Sequence, residues 1–437
     1  METKVLILAA GEGKRMKSHT PKVLHKICGR SMIDYIIDAA SSIDKKPIVI
    51  IGHEAEKIQE HLGDSVEYVL QKEQKGTGHA VMMCDKYLDR FEGYVVVIAG
   101  DMPLLKKATI KKLIDFTKEK KNAVTIVSTI LEDPENYGRI VRDENNKVTG
   151  IVEHRDATAA QREIKEINSS IYCFDNKLLQ KVIKQLQPNN KQNEYYLTDC
   201  IEILHKNGEK IDCLQAPSIE MFGVNDKAQL AYATKIMRQR INNFHMLNGV
   251  TILDPETTYI DFGAKIEKDV IIYPGNIIEG ETMIKSNTIL LQGNYIEGAI
   301  IAEGCKIGPN SHLRPKTVIA KNCKIGNFVE LKNVTVNEGA KIPHLSYCGD
   351  GEIGKRSNIS CGVIFSNYDG KKKSQTIVGD DVFVGCNANL VAPVNIEDNA
   401  YIAAGSTITQ DVPEKALAIA RAHQQNKEGW VDKRNKK

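Results

Sequence analysis

Taking every sixth residue from Ile260 gives Ile266, Ile272, Ile278, Ile284, Leu290 and Ile296, aliphatic without a miss. The count restarts one residue early and runs through Ile301, Ile307, Leu313, Ile319, Ile325 and Leu331. Three further stretches follow: Val336, Ile342 and Cys348; Ile353, Ile359 and Phe365; then Val378, Val384, Leu390, Ile396, Ile402 and Ile408. An α-helix turns about 100° per residue, so this spacing would scatter the side chains over three sides. A strand has period two, which divides six. One residue per short strand then points inward while Gly, Asn and Asp turn the corners. The pattern predicts a parallel β-helix whose stacked coils share one aliphatic core. An ordinary sandwich would show two or three alternating apolar positions per strand instead. Such a core needs few aromatics, and the chain has 6%, with Trp430 its single Trp and 32 glycines.

The first half has another rhythm. Val5 to Ala10 reads as a buried strand ending in a glycine loop. Pro47 to Ile51 and Tyr94 to Ala99 are further apolar runs, separated by helical stretches such as Met32 to Ser41. This alternation predicts an α/β, Rossmann-like domain on a parallel sheet. The expected organisation is an α/β domain over 1–225 and a helical linker over 226–248, capped by Asp226 and ending near Leu247. A β-helix domain follows over 249–437, its basic tail after Lys427 loose. A chain of 437 residues accommodates two such domains.

Lys+Arg 59 against Asp+Glu 56 leaves a formal charge of +3, which argues against nucleic acid or an anionic membrane as the main partner. Any anion site must be local. No apolar run exceeds six residues, too short for a membrane span or a signal-peptide core, so a cytoplasmic location is expected. Ten cysteines without a C-x-x-C pair suit reduced packing residues better than disulfides or zinc.

Leu8-Ala9-Ala10-Gly11-Glu12-Gly13-Lys14-Arg15-Met16, with Pro21-Lys22 behind it, is a glycine turn leaving a strand with cations nearby. Glycines let backbone N–H groups approach phosphate oxygens, and Arg15 and Lys22 can neutralise the charge there. The dinucleotide fingerprint fails, since Met16 stands where its third Gly belongs, and the Walker lysine pair is absent. Asp101, in Ala99-Gly100-Asp101-Met102-Pro103, follows an apolar strand and so lies at the carboxyl edge of the sheet, where ligands bind in open α/β folds. A carboxylate there can hold Mg²⁺ or merely cap the next helix.

Leu8-Ala9-Ala10-Gly11-x-Gly13-x-Arg15-Met16 with Pro21-Lys22 resembles the signature of sugar-1-phosphate nucleotidyltransferases. With a β-helix behind it, the chain from about Val5 to Trp430 resembles the bifunctional bacterial N-acetylglucosamine-1-phosphate uridyltransferase / glucosamine-1-phosphate acetyltransferase family. The resemblance implies a left-handed β-helix, a homotrimer with acetyltransferase sites between subunits, and Mg²⁺ shared by Asp101 and Asn225. It implies that Leu8, Ala9, Ala10, Gly11 and Lys22 hold the nucleotide, that Gln71, Gly76 and Thr77 read uracil, and that Gly138, Glu153 and Asn168 contact the acetylamino sugar. The sugar phosphate would attack the α-phosphate of UTP in line, helped by Lys22 and Arg15, with no protein nucleophile. His25, His53 and His79 are read as structural.

Between Phe365 and Val378 the repeat breaks for Ser366-Asn367-Tyr368-Asp369-Gly370-Lys371-Lys372-Lys373. Insertions in repeat arrays commonly project as functional loops. Acetyl transfer from acetyl-CoA to an amine needs a base. By resemblance that base is His344; Arg314, Lys332 and Lys373 grip the sugar phosphate, and Tyr347, Asn358, Asn367 and Tyr368 line the sugar. Cys361, Asn367, Tyr368, Cys386, Ala404 and Arg421 line acetyl-CoA by the same resemblance. The chain departs from the family pattern at Pro343, at Ser360 and at Ala422-His423, which bears on acetyl-transfer efficiency. The alternatives are a single-activity nucleotidyltransferase whose β-helix oligomerises or senses effectors, and a non-enzymatic scaffold lacking the ligands that Lys22, Asp101 and Asn225 supply.

Overall fold

The structure, a computed structural model, describes residues 2–435. Met1, Lys436 and Lys437, at the ends of the two expected domains, lie outside the described residues. The chain divides into compact units at 1–237 and 238–437, a boundary within the helix Lys227–Leu247.

In the first unit the strand Glu2–Ala9 lies between Gly93–Ala99 and Ile48–Ile51, parallel to both. The sheet order continues outward from Ile48–Ile51 to Glu67–Leu70, and from Gly93–Ala99 to Glu166–Asp175, Val124–Ile130 and Ile211–Gln215. The sheet departs from the all-parallel expectation at Glu166–Asp175, which runs antiparallel to both neighbours. The hairpin Gly138–Arg142 and Val148–Val152 attaches to that strand. Val5, Ile7, Val96 and Ile98 pack on one face, and Leu6, Val95 and Val97 on the other. Burial on both faces explains why these runs read as continuously apolar. Met32–Ser41 is helical as expected, with the Ser31 hydroxyl accepting the Asp34 N–H at its start. Asp226 caps the connector helix, its Oδ1 accepting the Gln229 N–H at 2.8 Å.

The second unit is a three-faced coil of parallel two-to-seven-residue strands. One ladder stacks Ile252, Ile272, Leu290, Ile307, Ile325 and Ile342 in register. The six-residue series lies inside: every position is at most 4% exposed except Ile266, which is half-buried in an early coil. Left-handed residues turn the corners, as at Gly304 and, one coil on, Asn322. The insert lengthens one coil, so that Ile353 pairs with Val378 and Ile359 with Val384. Asn242, fully buried, donates to the carbonyls of Pro255 and Thr258 and ties the end of the connector helix to the first coil. The tail departs from its expectation, because Trp430–Arg434 forms a short exposed helix. Cys84, Cys173, Cys200, Cys305, Cys323 and Cys348 are buried thiols, in line with a packing role.

Ile307, at 0% exposure, should be worth far more than its outward neighbour Lys306. Ile307→Ala is expected to cost about 2–5 kcal/mol and Lys306→Ala within about 0.5 kcal/mol in denaturant unfolding. Equal costs would contradict the inward assignment.

Candidate active sites

The loop Ala10–Gly13 and the turn after Ala99 leave the same edge of the sheet, because Leu8 pairs with Ala99 in parallel strands. Gly13 has φ +64°, and a Cβ there would sit 2.7 Å from Lys22 Cβ, so only glycine lets the loop close on that lysine. A Cβ at Gly11 would meet nothing within 4 Å, as suits a cradle open to a ligand.

Four predicted residues converge here. The Lys22 ammonium pairs with Asp101 Oδ2 and donates to Asn225 Oδ1 at 3.2 Å, and Arg15 Nη2 donates to the same amide oxygen at 2.9 Å. The Val224 N–H donates to the Asp101 carbonyl at 2.9 Å, which fixes the Gly223-Val224-Asn225 segment beside the carboxylate. Asp101 and Asn225 offer two hard oxygen donors, the number from which a Mg²⁺ completed by phosphate and water can be built. Among the described residues no group of three or more His, Cys, Asp or Glu side chains could hold a metal, so a site made of protein ligands alone does not arise.

A cavity of about 320 Å³ joins this cluster to Leu8, Ala9, Ala10, Gly11, Gln71, Gly76 and Thr77. Buried Gln71 donates through Nε2 to the Gly76 carbonyl at 3.1 Å and to His79 Nδ1 at 3.0 Å, which turns Oε1 toward acceptor duty. His79, read as structural from the sequence, thus orients a predicted base-reading residue. Gly76 has φ +104°, and a Cβ there would press against the Tyr195 carbonyl at 2.6 Å.

Gly138, Glu153 and Asn168 also come together: a Cβ on Gly138 would lie 3.4 Å from Glu153 Oε2 and 3.5 Å from Asn168 Cβ. Glu153 lines a second cavity, of about 770 Å³, with Asp156 and Asp199. Burial is the main cause raising the Glu153 carboxyl; Asp199 and Asp156 add to it, and the bond from Thr198 opposes it. A bulge between Asn168 and Tyr172 puts Ser170 at φ +62°, and its N–H donates to Asn168 Oδ1 at 3.1 Å. Ser170 and Glu194 line the nucleotide-side cavity, and Tyr137 stands beside Asp101, its phenol raised by burial and then by that carboxylate. The sequence reading missed all three. Their signal lies in three-dimensional neighbourhood rather than in a motif.

On the β-helix, Lys373 is the main influence holding the Lys332 ammonium below the usual lysine range; desolvation follows, and Arg314 adds to it. The three predicted phosphate-gripping cations are therefore neighbours, with Arg314 Nη1 donating to Glu330 Oε1 at 2.8 Å. Asp350 accepts Asn333 Nδ2 at 2.7 Å and Asn367 Nδ2 at 2.5 Å, and Asn367 Nδ2 reaches the Tyr347 hydroxyl at 3.5 Å. Asp350 was not foreseen, although it lies 17 residues from each asparagine. Ser360, one of the departures, accepts Asn358 Nδ2 at 3.1 Å and so steadies a predicted sugar contact. The insert closes on itself through Asp369 Oδ1, which accepts the N–H groups of Lys371 and Lys372.

His344 Nδ1 lies 2.6 Å from Asn327 Oδ1. From His344 a corner stack rises: Gly362 N–H to the His344 carbonyl, Asn387 N–H to the Cys361 carbonyl, Gly405 N–H to the Cys386 carbonyl. Cys361, Cys386 and Ala404 thus occupy successive coils, with Arg421 against Gly405 and Tyr368 exposed on the insert. Among the described residues no hydrogen bond or ion pair joins His344 to the Arg314, Lys332 and Lys373 group.

A family model for nucleotidyl transferases matches residues 4–218, a GMPPB C-terminal domain model matches 295–392, and a bacterial transferase hexapeptide model matches 375–410. The chain is 50% identical to the bifunctional protein GlmU of Caldanaerobacter subterraneus subsp. tengcongensis, covering 99% of this chain and 98% of that one. It is 52% identical to the bifunctional protein GlmU of Thermoanaerobacter pseudethanolicus, with the same coverage. The bifunctional protein GlmU of Clostridium botulinum (strain ATCC 19397 / Type A) is 46% identical, with 98% of each chain covered.

Asp199, in the wall of the Glu153 cavity, is pushed up to about 6 by burial first and by Glu202 and Asp156 next. Its unfolded carboxyl titrates near ~4, so the cost of burying its charge is absent below pH ~4, grows as pH rises and is complete above pH ~6. Asp199→Asn is expected to gain about 1–2 kcal/mol at pH 7.5, after discounting for partial exposure, and nothing at pH 4. Denaturant unfolding at both pH values measures it, and equal gains would contradict the assignment.

Proposed function

The chain belongs to the family of the bifunctional protein GlmU, and we propose that its two reactions are carried by two separate residue sets, one on each unit. The enzyme acetylates glucosamine 1-phosphate from acetyl-CoA and transfers UMP from UTP to N-acetylglucosamine 1-phosphate, releasing pyrophosphate. The observation that carries the residue assignment is the convergence of Arg15, Lys22, Asp101 and Asn225 from three distant stretches of sequence onto one edge of the sheet.

In uridylyl transfer a phosphate oxygen of the sugar phosphate attacks the α-phosphorus while the bond to pyrophosphate breaks, so the protein's work is positioning and charge neutralisation. Lys22 and Arg15 supply the neutralising cations, and the glycine loop supplies N–H groups at Gly11 and Gly13. Asp101 and Asn225 would hold Mg²⁺, which when bound offsets negative charge on the phosphates. Gln71 Oε1 is aimed to accept a base N–H, with Gly76 and Thr77 closing the base pocket. Gly138, Glu153 and Asn168 receive the acetylamino sugar.

In acetyl transfer Arg314, Lys332 and Lys373 take the sugar phosphate, with Tyr347, Asn358 and Asn367 on the sugar. His344 Nε2 takes the proton of the ammonium, and the free amine attacks the thioester carbon. The stack of Cys361, Cys386 and Ala404, with Tyr368 and Arg421, gives coenzyme A a track along the corner. We infer a homotrimer in which the site is completed between subunits. One observation supports it: Ile300 and Val318, paired in adjacent coils, are exposed apolar side chains. No helix among the described residues is long and apolar enough to cross a membrane, in keeping with a proposed cytoplasmic location.

A coupled assay with glucosamine 1-phosphate, acetyl-CoA, UTP and Mg²⁺, each supplied and omitted in turn, tests the assignment. His344→Ala is expected to lower acetyl transfer on the order of 100-fold or more and leave uridylyl transfer within about twofold. Asp101→Asn should do the reverse, lowering uridylyl transfer on the order of 100-fold. If either variant lost both activities while still folded, the separation would be wrong.

A further inference from the structure

We propose that Asn327 is a positioning residue for acetyl transfer, holding the His344 imidazole in the tautomer that keeps its proton on Nδ1 and presents Nε2 as the base. The proposal rests on the reading of His344 as proton acceptor given above. An amide oxygen can only accept, so a ring nitrogen 2.6 Å from Asn327 Oδ1 must donate to it. A neutral imidazole carries one proton, and with that proton on Nδ1 the lone pair is at Nε2. The opposite tautomer would turn an N–H toward the substrate amine and could take no proton from it.

The backbone holds this pair in place. Asn327 and His344 are register partners on neighbouring coils, and the Leu345 N–H donates to the Asn327 carbonyl at 3.0 Å. The Pro343 carbonyl faces Gly326 so closely that a Cβ there would lie 1.7 Å from it. Pro343 has no N–H, and toward the next coil this strand has the Lys341–Asn358 register pair and the Gly362 N–H on the His344 carbonyl at 3.4 Å, whereas toward the Asn327 coil it pairs at Lys341, Ile342 and His344. The proline that departs from the family pattern therefore leaves the His344 strand registered mainly on the coil carrying Asn327.

The chemistry makes the tautomer consequential. The amine nitrogen bonds to the acetyl carbon and the carbon–sulfur bond breaks. The ammonium proton passes to Nε2 and from there to the departing thiolate of coenzyme A. The Nδ1 proton stays on the ring throughout, donated to Asn327 Oδ1, and the amide dipole stabilises the imidazolium while it exists.

Steady-state acetyl transfer by the full chain, with glucosamine 1-phosphate and acetyl-CoA, tests this in Asn327→Leu, Asn327→Ser, Asn327→Asp and His344→Ala. Denaturant unfolding of the β-helix in each variant serves as the folding control, and uridylyl transfer from UTP to N-acetylglucosamine 1-phosphate checks that the first unit is intact. Removing the acceptor in Asn327→Leu is expected to lower kcat about 10–100-fold with both KM values within about threefold. Asn327→Asp, which keeps an oxygen acceptor of the same shape, should restore kcat to within about fivefold of wild type. Asn327→Ser replaces the leucine variant if the unfolding transition shows that leucine disturbs the coil; its short hydroxyl cannot reach Nδ1, and the same loss is expected. An unchanged kcat without the acceptor, or an aspartate variant as impaired as leucine with raised KM, overturns the proposal. If His344→Ala still acetylates, it is the reading of His344 as base that fails.

Discussion

Coil-to-coil register is the constraint on which the β-helix depends. Each turn of chain must bring a new aliphatic residue onto the one below it, as Leu290, Ile307 and Ile325 do in a single ladder. The hydrophobic gain of burying each such side chain, about 1.5–3 kcal/mol, accrues only while the turn length is kept. The same register that stacks the core also stacks the chemistry. Asn327 lies under His344, and Asn333, Asp350 and Asn367 follow one another at the same 17-residue step. Where a coil needs a loop, the extra residues leave between rungs, so Ile359 still finds Val384 and the insert projects without breaking the ladder.

The nucleotidyl transferase unit meets the analogous demand with a sheet. Pairing Leu8 with Ala99 sends the glycine loop and the Asp101 turn out at one edge, and the Asp101 carbonyl draws in Asn225 through the Val224 N–H. The net charge is only +3, and the candidate sites draw on small local groups of cations, Arg15 with Lys22 and Arg314 with Lys332 and Lys373, each among oxygen-bearing partners.

What could be read in the sequence was whatever repeats or clusters locally. A six-residue period excludes a helix whatever the residues are, and the buried series confirms it apart from Ile266 in an early coil. Glycine loops and strand ends are local too, so Gly11, Gly13, Lys22 and Asp101 were legible. The antiparallel strand Glu166–Asp175 was not, because a strand's direction depends on its connections and not on its composition. Ser170, Glu194 and Tyr137 reach the first site through a bulge and loops that carry no spacing rule. Asn327 and Asp350 are a different case. They sit one coil before residues already singled out, and subtracting the coil length from His344 or Asn367 would have pointed to them.

The proposed separation of the two residue sets implies that the two nucleotide-bearing ligands occupy the chain independently. The most direct measurement is calorimetric titration of UTP with Mg²⁺ into the full chain, alone and with saturating coenzyme A. Simultaneous binding is expected, with the UTP affinity unchanged within about twofold. Loss of UTP binding when coenzyme A is present would mean a shared site and would contradict it.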